Sequence, residues 1–104
     1  MGNAAETMDA IAGAAHLLAD RTRLRILLLL SEGEMNVSQV VKRLGCGQPM
    51  ASHHLNILRT NDMVRSRREG KRIHYRLTHA APAAGTIRVT ARRATIAVGR
   101  DGGR

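Results

Sequence analysis

The chain has few of the features that cross-link a small protein or hold it in a membrane. Among its 104 residues there is one cysteine, Cys46, and one aromatic residue, Tyr75. A lone cysteine cannot form an internal disulfide, and no Cys/His pair has zinc-finger spacing, so we expect no resident metal or other cofactor. The longest apolar run, Ile26 to Leu30, is far shorter than the roughly 20 residues that cross a membrane. We therefore expect one small soluble domain in the cytoplasm, with no membrane partner.

Acidic residues are also scarce, with 8 Asp and Glu against 17 Lys and Arg, for a net charge of +9. Such a chain binds polyanions by releasing their condensed counterions, which makes nucleic acid the first expected partner. Residues 1–79 carry 12 basic and 7 acidic side chains, and residues 80–104 carry 5 and 1. From Ala80 onwards no apolar face is sustained at helix or strand period.

The difference in charge and apolar patterning between the two parts of the chain predicts a folded domain at 1–79 and a basic, poorly ordered Ala/Arg/Gly-rich tail at 80–104. A stretch such as Thr86 to Thr90 has strand character, but an isolated strand has no partner unless the body offers an edge.

The first two helices are predicted from apolar residues at helical spacing. The first is expected over Thr7 to Leu18. Asp20 is a suitable N-cap for the second, which is apolar nearly all round and runs from Arg21 to Ser31, with Gly33 as its stop. We expect this second helix at the centre of the fold.

A helix-turn-helix is predicted next. Ser38 is the expected cap of a short third helix, after a short extended piece, and the turn Gly45-Cys46-Gly47 ends it. A fourth helix is expected from Gln48 to about Thr60. Its spacing turns one row towards the core, at Ala51, Leu55 and Leu58, and an all-polar row outwards, at Gln48, Ser52, Asn56 and Arg59. Two helices joined in this way, the second with such a row, are typical of a DNA-reading motif.

A two-stranded hairpin is predicted after these helices. Val64 to Arg68 and Lys71 to Leu77 flank Glu69-Gly70, and alternate residues of the second strand form one apolar face. Four cations surround one acid at the tip, namely Arg67, Arg68, Lys71 and Arg72. Such a tip suits contacts to phosphates, which position a protein without reading sequence. The fold class is therefore mainly α with a small β-hairpin, a winged helix-turn-helix.

Three segments carry a resemblance to a known family. They read LADRTRLRIL from Leu18, QPMASHHLNILR from Gln48 and VRSRREGKRIHYRL from Val64. In this order and spacing they resemble the ArsR-type winged-helix repressors over about residues 16–78. The resemblance implies a homodimeric bacterial repressor that binds operator DNA and releases it when an effector, often a soft metal ion, binds.

The resemblance also implies which residues face DNA. Gln48, Ser52 and His53 match the family's DNA-facing positions, and the arginines near Gly70 match its wing. Asn56 and Arg59 are added by the helical spacing. The expected contacts to double-stranded DNA are Gln48, Ser52, His53, Asn56, Arg59, Arg67, Arg68, Lys71 and Arg72.

The effector and dimer regions depart from the family pattern. Metal-sensing relatives have a Cys-x-Cys pair where this chain has Asn36 and Ser38, which are poor ligands for soft metals, so no metal site is expected. The family's C-terminal helix, which pairs with the first helix across the dimer, is not recognisable here. We expect a weakened homodimer that depends on the apolar side of the first helix, at Met8, Ile11, Ala15 and Leu18.

The sequence leaves three functions open. No catalytic constellation is present, so an enzyme is not expected. The first interpretation is a sequence-specific regulator, most simply a repressor. The alternatives are a non-specific basic protein that coats nucleic acid, and a defective paralogue that forms mixed dimers. Cys46 is interpreted as a turn residue in preference to a redox switch, and His54 equally as a packing or as a hydrogen-bonding residue.

Overall fold

The computed structural model of the chain describes residues 4–79, 86–91 and 94–99. It confirms the mainly helical fold with a small antiparallel sheet, a winged helix-turn-helix. The elements in chain order are α1 (Ala4–Leu18), α2 (Arg21–Leu30), β1 (Met35–Asn36), α3 (Val37–Leu44), α4 (Gln48–Thr60), β2 (Val64–Glu69), β3 (Arg72–Leu77), β4 (Thr86–Ala91) and β5 (Ala94–Gly99). None of the helices in this described part is long and apolar enough to cross a membrane.

The core lies where α2, α3, α4 and the sheet meet. The predicted inward row of α4 is confirmed, because Ala51, Leu55 and Leu58 are all fully buried. Ile26 of α2 and Val64 of β2 are buried with them. Burying a leucine or isoleucine side chain stabilises a fold by about 1.5–3 kcal/mol. This packing fixes α4 with one side inward, so its polar side is turned outward.

The ends of the first two helices differ slightly from the prediction. Helix α1 begins at Ala4, three residues before the expected start. The prediction for the start of α2 is confirmed, since Asp20 Oδ1 accepts a hydrogen bond of 2.9 Å from the Arg23 backbone N–H. At its other end α2 stops at Leu30, and Ser31 is its C-cap. Gly33 therefore lies in the following turn and does not end the helix.

The prediction that Ser38 caps α3 is wrong. The N-cap is Asn36, whose Oδ1 accepts a 2.9 Å hydrogen bond from the Gln39 backbone N–H. Gln39 Oε1 in turn accepts a 2.8 Å bond from the Asn36 backbone N–H, which completes a capping box. At the far end Gly45 adopts a left-handed conformation with φ of 70°, and its N–H donates to the Val41 carbonyl. The predicted end of this helix is thus confirmed.

The sheet has one strand more than predicted. β3 pairs with β2 as expected, but it also pairs with β1, which places Met35 opposite Tyr75 and Asn36 opposite His74. The sheet order is therefore β1-β3-β2. The hairpin turn is also shifted by one residue, because β2 continues to Glu69 and the loop is Gly70-Lys71, with Gly70 at φ of 62°.

A second hairpin follows in the region predicted to be a tail. β4 pairs antiparallel with β5, with Thr86 opposite Gly99 and Ala91 opposite Ala94. The expectation that Thr86 to Thr90 has no strand partner is therefore wrong. β4 contacts α1 and α2. The remaining tail positions, 80–85, 92–93 and 100–104, lie outside the described residues, so the predicted boundary after residue 79 and the predicted disorder stay predictions.

Candidate nucleic-acid interface

The outer side of α4 presents the polar row that its spacing predicts. Gln48, Asn56 and Arg59 are exposed, whereas Ser52 is half-buried. Asn56 Oδ1 accepts a 2.7 Å hydrogen bond from Arg59 Nη2, which restrains both side chains on the helix surface. His53 is exposed one position beyond Ser52, about 100° further round the helix. The row therefore offers donors and acceptors on one side of the helix.

An open groove of about 440 Å³ runs between this row and the hairpin β2–β3, here called the wing. Gln48, Ser52 and Asn56 line it on the α4 side, and Lys71 and Arg72 at the wing tip line it from the other side. Both cationic side chains are exposed. Five of the nine predicted DNA-contact residues are thus brought to one concave surface, although 15 residues or more separate the two groups in the chain.

The groove is also lined by residues that were not among the predicted DNA contacts. Ser38 at the start of α3 lines it, as do Ile73 and Tyr75 of β3. The alternation of β3 did predict that Ile73 and Tyr75 share a face, but it did not show that this face is opposite α4. Ile73 is more exposed than a core residue, which fits its place on the groove wall near the wing tip.

The remaining four predicted residues lie outside the lining of this groove. His53 and Arg59 are on the exposed surface of α4. Arg68 is exposed on β2 and pairs with Ile73, so it shares the sheet face that lines the groove. Arg67 lies on the opposite sheet face, since successive residues of a strand point to opposite sides.

Arg67 is held by carboxylates. Its Nη2 lies 2.6 Å from Glu34 Oε2, and its Nη1 lies 3.6 Å from Glu69 Oε2. The hydrogen bond from Arg67 holds the pKa of the Glu34 carboxyl below its usual value. The same contact raises the pKa of the Arg67 guanidinium. His74, opposite Arg67 in the sheet, has Nε2 at 3.3 Å from Glu69 Oε1.

The described residues do not offer the ligands of a soft-metal centre. In the described part of the chain no group of three or more His, Cys, Asp or Glu side chains is placed to hold a metal ion. The Asn36 amide oxygen is already used to cap α3. Cys46 is half-buried and has no second thiol as partner, because it is the only cysteine of the sequence. Soft metal ions select thiolate sulfur, so this donor set is unsuited to them.

Comparison with known proteins identifies the family. A family model described as the arsR family of bacterial regulatory proteins matches residues 20–66. The arsenical resistance operon repressor of Escherichia coli (strain K12) is 47% identical over 68 residues, which cover 64% of this chain and 58% of that protein. The crystal structure of the transcriptional repressor BigR from Xylella fastidiosa is 36% identical, with a TM-score of 0.66, over 69% of this chain and 74% of that one. The chain belongs to the ArsR family.

The fold of this ArsR-family chain is likewise that of a solved DNA-binding domain. The solution structure of a homodimeric winged helix-turn-helix DNA-binding domain from Mycobacterium bovis is 34% identical, with a TM-score of 0.65 and coverage of 76% of each chain. The resemblance inferred from the three sequence segments is thereby confirmed. Family and fold are those of transcriptional regulators. The match spans about three fifths of the length of the E. coli repressor.

Proposed function

We propose that this chain is a sequence-specific, DNA-binding transcriptional regulator, most simply a repressor, and that the groove between α4 and the wing is its DNA-binding surface. The observation that carries the proposal is the convergence of Gln48, Ser52 and Asn56 with Lys71 and Arg72 on one groove. Hydrogen-bonding groups on one side and cations on the other match the two classes of contact that DNA offers, base edges and phosphates.

The two sides of the groove have different roles in this proposal. The helix α4 enters the major groove, where the amide of Gln48, the hydroxyl of Ser52 and the imidazole of His53 read base edges. Asn56 and Arg59 continue this surface towards the helix C-terminus. The wing tip contacts phosphates through Arg68, Lys71 and Arg72, which sets the register of α4 on the duplex without reading sequence.

The proposal includes a homodimer formed through α1. The homodimeric domain from M. bovis supports it, as does the exposure of Met8, which is 68% exposed, and of Ala15. Leu18 contributes less than its spacing suggests, because it packs against the core of the same chain. We propose a weakened dimer, since the strand β4 contacts α1 where the resemblance implies a helix.

Residues 1–79 form the DNA-binding domain in this proposal, and the basic segment 80–104 adds affinity for any DNA. Five cations and one acid in that segment support the second role. Removing residues 80–104 should therefore weaken binding to random DNA while leaving the domain folded.

A competition experiment separates this function from a non-specific coating protein. A duplex is selected with the unchanged protein from a randomised library, and its binding is measured with excess scrambled duplex of the same base composition. A regulator keeps its selected duplex under this competition, because specific sites are bound about 10³-fold or more tighter than random ones. Equal loss from both duplexes would exclude sequence-specific regulation. Sedimentation of the free protein, with and without a related chain, tests the dimer and the mixed-dimer alternative.

A further inference from the structure

One ion pair joins the body of the protein to the back of the wing. Glu34 lies just before β1, and its carboxylate accepts hydrogen bonds from Arg67 Nε at 3.2 Å and from Arg67 Nη2 at 2.6 Å. Arg67 is 33 residues further along the chain, near the middle of β2. Two donors of one guanidinium thus hold one carboxylate, which fixes direction as well as distance.

Two neighbours extend this contact into a cluster. His74 Nδ1 lies 3.9 Å from Glu34 Oε2, and its Nε2 lies 3.3 Å from Glu69 Oε1. Glu69 also pairs with Arg67 at 3.6 Å. Arg67, His74 and Glu69 lie on the sheet face opposite Ile73 and Tyr75, and Glu34 contacts Arg67 and His74 from the loop before β1, so the cluster holds the wing from behind the groove.

The wing has few other attachments near its tip. β1 pairs with β3 over two residues, with Met35 opposite Tyr75 and Asn36 opposite His74, so this ladder ends at the middle of the hairpin. Beyond that ladder, the stretch from Arg68 to Ile73 is exposed throughout. The contact between Glu34 and Arg67 is placed where it can set the angle at which the tip leaves the body.

We propose that Glu34 is a positioning residue for DNA binding, which holds Arg67 and so keeps Lys71 and Arg72 opposite the polar row of α4. The inference depends on the proposed function. It assigns Arg67 to the support of the wing and no longer to the phosphate contacts. Glu34 and Arg67 act through the position of other side chains and do not touch DNA.

Simple charge reasoning predicts the opposite effect of removing Glu34 on DNA binding. Glu34 is an acid close to a surface that would bind a polyanion, so removing its charge should strengthen binding to any DNA. An exposed ion pair with no positioning role contributes little to stability, with a median of about 0–1 kcal/mol. A loss of specific binding on removal of this acid therefore distinguishes positioning from electrostatics.

Glu32 provides a matched control. It pairs with Arg43 through Nη2 at 3.2 Å to both carboxylate oxygens, and it lies in the same loop as Glu34. Its side chain is 43% exposed, against 30% for Glu34. Glu32→Gln removes the same charge, but the bond that it breaks leads to α3 and not to the wing.

The experiment measures the ratio of affinities for the selected and scrambled duplexes in Glu34→Gln, Arg67→Gln, the double variant and Glu32→Gln. We expect Glu34→Gln to lower the ratio by about threefold to fivefold, the scale of one well-oriented ion pair, because a displaced wing shifts the register of α4 on the duplex, whereas the loss of one phosphate contact leaves that register in place. Arg67→Gln should lower it equally, and the double variant no further, because the two residues act as one unit. Glu32→Gln should leave it unchanged.

Amide hydrogen exchange gives a readout that needs no DNA. Exchange over residues 65–77 should be faster in Glu34→Gln than in Glu32→Gln, with unchanged protection in α2 and α4. Equal exchange in the two variants overturns the proposal. So does an unchanged or raised affinity ratio in Glu34→Gln, or additive losses in the double variant. If the unchanged protein prefers no duplex, the proposed function fails, and with it the role in DNA binding, while exchange still decides whether Glu34 holds the wing.

Discussion

Replacing Asn36 by alanine should destabilise the protein more than replacing Ser38, although both residues are common helix caps. Asn36→Ala removes the acceptor of the 2.9 Å bond from the Gln39 N–H and leaves that donor without its partner at the start of α3. Losing an N-cap side chain costs about 0.5–2 kcal/mol. Asn36 is only 8% exposed, so water replaces the lost bond poorly, and we expect a cost of about 1–2 kcal/mol.

Urea denaturation followed by circular dichroism measures this difference. Asn36→Ala should shift the midpoint down without changing the slope. Asn36→Asp, which keeps an acceptor at the same place, should recover most of the loss, and Ser38→Ala should stay within about 0.5 kcal/mol of the unchanged protein, as exposed substitutions do. If Ser38→Ala cost as much as Asn36→Ala, the capping role assigned to Asn36 would be wrong.

Three further predictions concern caps, turns and metals. The hydrogen bond from the Arg23 N–H lowers the pKa of Asp20 below its usual 3.8, so its stabilisation is present above pH 3.8 and is lost as the pH falls through the lower folded value. Urea midpoints of the protein and of Asp20→Ala should accordingly converge only in acid. Gly70→Ala should destabilise by about 1 kcal/mol because φ is 62° there, whereas Gly13→Ala, inside α1 with free space around it, should stabilise by about 0.5–1 kcal/mol; thermal unfolding compares the two. Calorimetric titration with zinc or arsenite should show no binding tighter than micromolar, and stoichiometric tight binding would contradict this.

The helical core could be predicted from sequence because its apolar residues recur at the period of a helix. Leu55 and Leu58 repeat at helical spacing, and the structure buries both completely. Asp20 and Gly45 act through bonds to residues three or four positions away, so a local pattern is enough to find them. Such short-range signals also located the polar row of α4.

Features that depend on distant pairing could not be predicted in the same way. Asn36 and Ser38 are both of residue types that favour the N-cap, so the local sequence does not decide between them. In the structure Asn36 is the N-cap of α3 and is also paired with His74 of β3, a contact that lies far along the chain. Arg67 looks equivalent to the other cations of the wing until Glu34, 33 residues earlier, is found beside it. In the second hairpin β4 alternates Ile87 and Val89 with polar residues, but its partner β5 is mostly Ala, Thr and Gly with no such alternation, so the sequence indicated one strand without the strand that pairs with it.

The most direct test of the DNA-binding surface compares one substitution on each side of the groove. Ser52→Ala should lower affinity for the selected duplex by about 1–3 kcal/mol, with little change for scrambled DNA, because a base contact is lost. Arg72→Ala should weaken both duplexes alike and reduce the salt dependence by about one phosphate contact. If Ser52→Ala left the ratio of the two affinities unchanged, α4 would not be the reading element and the account would be contradicted.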